Sequence, residues 1–76
     1  MDELLLMVAE WERAAESLRG RAGLVRASAD VTWGGPGAQA WREELAARWV
    51  ALLDLADRFD RVARSLRALA ELEAAA

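Results

Sequence analysis

The sequence predicts an all-α fold: an antiparallel two-helix hairpin that dimerises into a four-helix bundle. Three observations lead there. Apolar residues recur at heptad spacing along two long segments. A single glycine-rich break, Val31-Thr32-Trp33-Gly34-Gly35-Pro36-Gly37, separates them. And 76 residues leave room for one domain, 1–76, whose core is small for a chain standing alone.

The first helix is predicted over about 2–29. Leu4, Trp11, Leu18 and Val25 form one row at seven-residue spacing, and Val8, Ala15, Ala22 and Ala29 form a second. Met7 and Ala14 widen the stripe before Arg21 and Ser28 interrupt it. Asp2 and Glu3 at the start and Arg26 near the end suit the helix macrodipole. Gly20 and Gly23 each cost up to ~1 kcal/mol against alanine inside a helix. They are read either as a local weakness or as a place where a partner's backbone comes close.

The turn occupies about 30–35, and the second helix runs from about 36 to 74. Pro36 suits a first helical position, where its missing N–H is no loss. Gly35 is the permissive residue that lets this helix begin. Ala38, Leu45, Leu52, Phe59 and Leu66 form one row, and Trp41, Arg48, Leu55, Val62 and Leu69 the next. Trp49, Ala56, Ala63 and Ala70 flank them, with no helix breaker throughout.

Length and stripe width then predict association. Folding back at Trp33 would set Leu18 near Arg48 and Leu4 near Val62, leaving residues from about Leu66 onward without a first-helix partner. Each helix carries at least three apolar rows, more than one neighbour covers. Two hairpins packed as a four-helix bundle would cover them and bury ~2,000 Å² or more. Trp33 at the tip of the turn also asks for a partner, because the two helices it joins cannot both enclose it.

Composition narrows the classes of function. There is no cysteine and no histidine, so disulfides and the usual zinc sites are excluded. The formal charge is -3, against nucleic-acid binding. The longest apolar run, Leu4 to Ala9, is far short of the ~20 residues of a membrane span. The acidic start Met1-Asp2-Glu3 does not resemble a signal peptide. All ten basic residues are arginine. With the heavy use of alanine, this suggests a GC-rich coding bias of the actinobacterial kind. Ser17, Ser28, Ser65 and Thr32 have no histidine to activate them, and the glycine turn lacks the lysine of a phosphate-binding loop. No enzyme activity, cofactor or metal is therefore expected.

Trp33-Gly34-Gly35, placed between a helix and a longer helix, fits a W-x-G signature. The chain thereby resembles the Trp-x-Gly hundred-residue family, the early-secreted-antigenic-target-like substrates of type VII secretion. The resemblance covers nearly the whole chain. Trp41 and Trp49 fall where that family has frequent aromatic or large apolar residues. The resemblance implies a homodimer, or a heterodimer with a related hairpin, and export by a membrane ATPase-driven machine without a cleaved signal. It makes Trp33 and Gly35 the signature turn and sets Trp33 near the partner's chain terminus. Family members are nearer a hundred residues and often end with a tyrosine, three residues and an acid. Here Leu69 and Glu73 keep that spacing without the tyrosine, a weak counterpart of the motif.

The remaining candidates have plainer readings. Leu4, Trp11, Leu18, Val25, Trp41, Leu45, Leu52, Leu55, Phe59, Val62, Leu66 and Leu69 are expected in the core of the hairpin or dimer. Asp54, Asp57 and Asp60 each have an arginine four residues on (Arg58, Arg61, Arg64), which makes a solvated charge ladder and not a metal or acid–base cluster. Arg21 and Arg48 interrupt the apolar rows and are expected to snorkel; the alternative pairs one of them with Glu44. The functional expectation is a small secreted helical hairpin of a type VII system, acting as a dimeric export substrate or export partner. The alternative is a cytoplasmic helical adaptor or toxin-neutralising module in which the W-x-G is fortuitous.

Overall fold

The computed structural model describes residues 2–29 and 34–76. Two α-helices, α1 (Glu3–Ala29) and α2 (Ala38–Ala75), pack against each other along their lengths. The chain is all-helical among the described residues. Trp33 lies outside them.

Local chemistry explains where each helix starts. The Asp2 carboxylate accepts a hydrogen bond from the Leu4 N–H at 2.9 Å, an N-cap that satisfies a free donor of the first turn. Before α2 the chain makes a turn closed by the Ala38 N–H on the Gly35 carbonyl at 3.3 Å. Pro36 and Gly37 hold its centre. Gly37 has φ 88 and ψ -11, the left-handed geometry that the third residue of a type II turn requires. Gly35 also has a positive φ, 96. Pro36 therefore serves the turn, and α2 begins two residues later than its first-position reading predicts. Gly37 then accepts the first helical bond, from the Trp41 N–H at 3.0 Å.

The core is made mostly of small residues. Val8, Ala15 and Ala22 are the buried residues of α1. Ala38, Leu45, Ala56, Ala63 and Ala70 are those of α2. On α2 the row Ala56–Ala63–Ala70, expected as a flank, is the row that meets α1. Alanine has little to interpose, so the two backbones come together and the large side chains are pushed to the sides of the seam. Gly20 and Gly23 lie away from it: a Cβ at either would meet nothing within 4 Å. The hairpin itself places no demand for glycine there.

The register differs from the shortest-turn expectation. Arg19 pairs with Asp57 and Asp60, Glu12 with Arg67, and Arg26 lies over Trp49. Asp2 and Leu5 lie beside Ala70, Glu71 and Ala74. Relative to the expected pairing of Leu18 with Arg48, α2 is displaced by ~9 residues, about two and a half turns. The stretch from Leu66 onward is thus no overhang; it is seated on the first turns of α1. A connection of eight residues can reach ~26 Å, so the turn does not dictate the register. Seam packing and cross-helix charges do.

Overpacking the seam tests this. Ala56, fully enclosed, is expected to lose about 1–3 kcal/mol of stability on Ala56→Leu. The same change at exposed Ala47 should stay within ~0.5 kcal/mol. Urea denaturation at one fixed protein concentration measures both; equal stability for the two variants would place the seam elsewhere.

Candidate interaction face

Because alanines fill the seam, the hairpin has two unlike flanks. On one, Leu4, Trp11, Leu18 and Val25 of α1 run beside Leu45, Leu52, Phe59 and Leu66 of α2. Leu45 is buried and the others are half-buried. Trp11 and Phe59 meet edge to face, ring centroids 4.9 Å apart at 88°. Further out on α2, Trp41, Leu55, Val62 and Leu69 are exposed, Leu69 by 51%. Met7 and Leu24 extend the same surface on α1, with Leu24 72% exposed. Near the turn end the face opens into a groove of about 530 Å³ lined by Arg21, Leu24, Val25, Arg48, Ala51 and Leu52.

The other flank is ionic. Arg19 bridges Asp57 at 3.2 Å and also bonds Asp60. Its guanidinium is held above its ordinary pKa, chiefly by the hydrogen bond to Asp60, with burial opposing. Arg67 bonds Glu12 at 2.7 Å, and Arg26 stacks on Trp49 at 5.1 Å from the ring centroid. These cross-helix contacts correct the reading of the aspartates as a purely local ladder. Arg58 does pair with Asp54 four residues away, at 3.1 Å, but Asp57 and Asp60 clasp the other helix. The signal was present: in an antiparallel pair, the rows just outside the seam carry the partner-selecting charges, and here Glu12 and Arg19 oppose Arg67 and Asp60.

Arg48 bonds Glu44 at 2.8 Å with both side chains exposed. The pairing that the sequence offered as the alternative is therefore present, while Arg48 still lines the apolar groove. Glu73, the acid of the weak export motif, is exposed near the end of α2. Gly35 is in the turn as described above. Trp33 is outside the described residues, so the signature is seen through Gly35 alone. Among the described residues no group of three or more acidic, histidine or cysteine side chains could hold a metal ion. No helix there is long and apolar enough to cross a membrane.

The hairpin as a whole has a large surface for its mass. A folded monomer of 8.3 kDa is expected to expose about 4,600 Å², whereas this chain exposes 5602 Å². The difference, roughly 1,000 Å², reflects the extended two-helix shape, with both flanks and the ends in water. The shape agrees: the Cα radius of gyration is 17.8 Å, against about 11 Å for a compact domain of this length. A two-helix layer has nothing packed on either side, and here one of its two flanks is mainly apolar.

In comparisons with known proteins, the chain matches no family model, no curated protein and no solved structure.

Phe59 joins the seam to the face. Phe59→Ala removes an aromatic pair worth ~0.5–1.5 kcal/mol beyond its buried area. Its melting temperature should fall, and fall further at low protein concentration than the parent's, as expected when folding and association are linked. Identical melting at all concentrations would detach Phe59 from any interface.

Proposed function

We propose that this chain is a helical-hairpin interaction protein of the W-x-G type that works as a dimer, as substrate or export partner of a type VII secretion ATPase. The observation that carries the reading is the one-sided apolar face. It runs the length of the hairpin, and the opposite flank carries the cross-helix charges. A surface of that kind marks protein–protein contact. The Trp33-Gly34-Gly35 sequence at the connection supports the export half of the proposal, with export independent of a cleaved signal. The described part of the molecule supplies binding surface, which suits an interaction protein.

In this reading the apolar face makes the bundle, and Trp33 stays outside it as part of a recognition surface at the bundle's end. The two roles separate on mutation. Trp33→Ala should leave helicity and assembled mass unchanged while export is lost, measured by comparing culture supernatant with cell lysate for parent and variant. Export of the variant at the parent's level would remove Trp33 from recognition. Retention of both parent and variant inside the cell, with the assembly intact, would favour the cytoplasmic adaptor.

A further inference from the structure

We propose that the open end of the hairpin, on its ionic flank, docks a basic amphipathic helix of another protein, one lysine or arginine of which enters the groove beside Leu5 and meets Asp2 and Glu71. The groove lies on the flank opposite the one assigned to the partner hairpin. The inference therefore goes beyond that reading and does not depend on it.

Leu5 has no place in the seam or on the apolar flank. It stands one heptad before Glu12, on the side where Glu12 bonds Arg67, and it is 46% exposed. With Ala70 and Ala74 it forms the apolar part of a groove of about 200 Å³, whose other lining residues are Asp2, Arg67 and Glu71. That volume is below the usual range of small-molecule pockets, so the groove suits one long side chain and not a free ligand. An apolar floor beside carboxylates fits a side chain with an apolar stem and a cationic head, which means lysine or arginine. Arg67 is the cation that lines the groove, and Glu12 already meets it at 2.7 Å. The Asp2 carboxylate accepts only the Leu4 N–H. Among the described residues Glu71 carries no ion pair.

The charge of the whole end points the same way. Residues 1–12 and 68–76 hold six carboxylates, Asp2, Glu3, Glu10, Glu12, Glu71 and Glu73, and no arginine. The nearest arginines are Arg13, Arg67 and Arg64. Even with these three included the end is left at -3, the formal charge of the entire chain, so the remainder is balanced. Glu71 and Glu73 also stand near the end of α2, where the macrodipole disfavours an anion, and its last turn has no basic residue. A cation brought by a partner relieves that cost. Leu6, next to Leu5 and as exposed, extends the apolar surface for the helix that carries the cation.

The probe is an amphipathic peptide of leucine and lysine, ~18 residues or five helical turns long, with a leucine and glutamate peptide as its counterpart. Each is titrated into the isotope-labelled full chain and followed by amide chemical shifts. The lysine peptide should bind saturably, less tightly as salt rises, and shift the amides of Leu5, Ala70, Glu71 and Ala74. The glutamate peptide should not. Glu71→Arg should weaken binding about tenfold, and Leu5→Ala about fivefold. Glu71→Arg agrees better than the parent with the macrodipole, so its loss of binding is not a loss of fold. Glu16→Arg makes the same change of charge at an exposed position outside the groove and should stay within about twofold. Equal weakening by Glu16→Arg and Glu71→Arg would reduce the effect to net charge and overturn the site. Shifts centred on Leu52 and Phe59, equal binding of the two peptides, or no binding of the lysine peptide would overturn it too. None of these results bears on the apolar-flank dimer or on export, which the Phe59→Ala melting and the Trp33→Ala assay read separately.

Discussion

The small side chains between the two helices are the constraint on which the rest depends. Ala15 and Ala22 on one side and Ala56, Ala63 and Ala70 on the other leave no room between the backbones for a leucine or an aromatic ring. The large apolar residues must then stand beside the seam. Most of them gather on one flank, because the rows just outside the seam on the other are largely charged; Leu5 and Val50 stay exposed away from that face. Glu12, Arg19 and Arg26 meet Arg67, Asp60 with Asp57, and Trp49. Each such contact at a water-exposed edge contributes little stability. Their effect is on geometry: they fix which residues face one another and which flank stays open.

From that division the surface follows. A chain whose enclosed core is one valine, one leucine and alanines has buried little of its apolar area, and hydrophobic stabilisation scales with the area removed from water. The hairpin therefore keeps its main stabilising material on the outside, where a partner can use it. In the proposed dimer, folding and association would be two parts of one process, as is common among obligate dimers.

Much of the fold was legible in the sequence because the heptad rows are unbroken and the punctuation is concentrated in one place. Two helices packed against each other follow from Leu4–Trp11–Leu18–Val25, from Leu45–Leu52–Phe59–Leu66, and from the glycine-rich break. Register was not legible. Apolar periodicity says which face of a helix is inside but is indifferent to sliding by whole heptads, and the shortest turn was a poor guide because the connection has reach to spare. Nor did the pattern reveal that Ala56, Ala63 and Ala70 would be preferred to Leu55, Val62 and Leu69 at the seam. Hydrophobicity ranks the larger residues first, while close packing of two backbones ranks the smaller first. The local aspartate–arginine spacing hid the cross-helix clasp of Arg19 for a similar reason: both pairings satisfy the same charges, and only the register decides between them.

The central claim is that the apolar flank is covered by a second hairpin lying alongside the first. Small-angle X-ray scattering tests it in one experiment, because mass and length are read together. The single hairpin spans 63 Å along its axis and 16 × 11 Å across. The account predicts a particle of twice the 8.3 kDa chain mass, with nearly unchanged length and a thicker cross-section. A particle of single-chain mass and two-helix cross-section would contradict it, and so would one of doubled mass and doubled length.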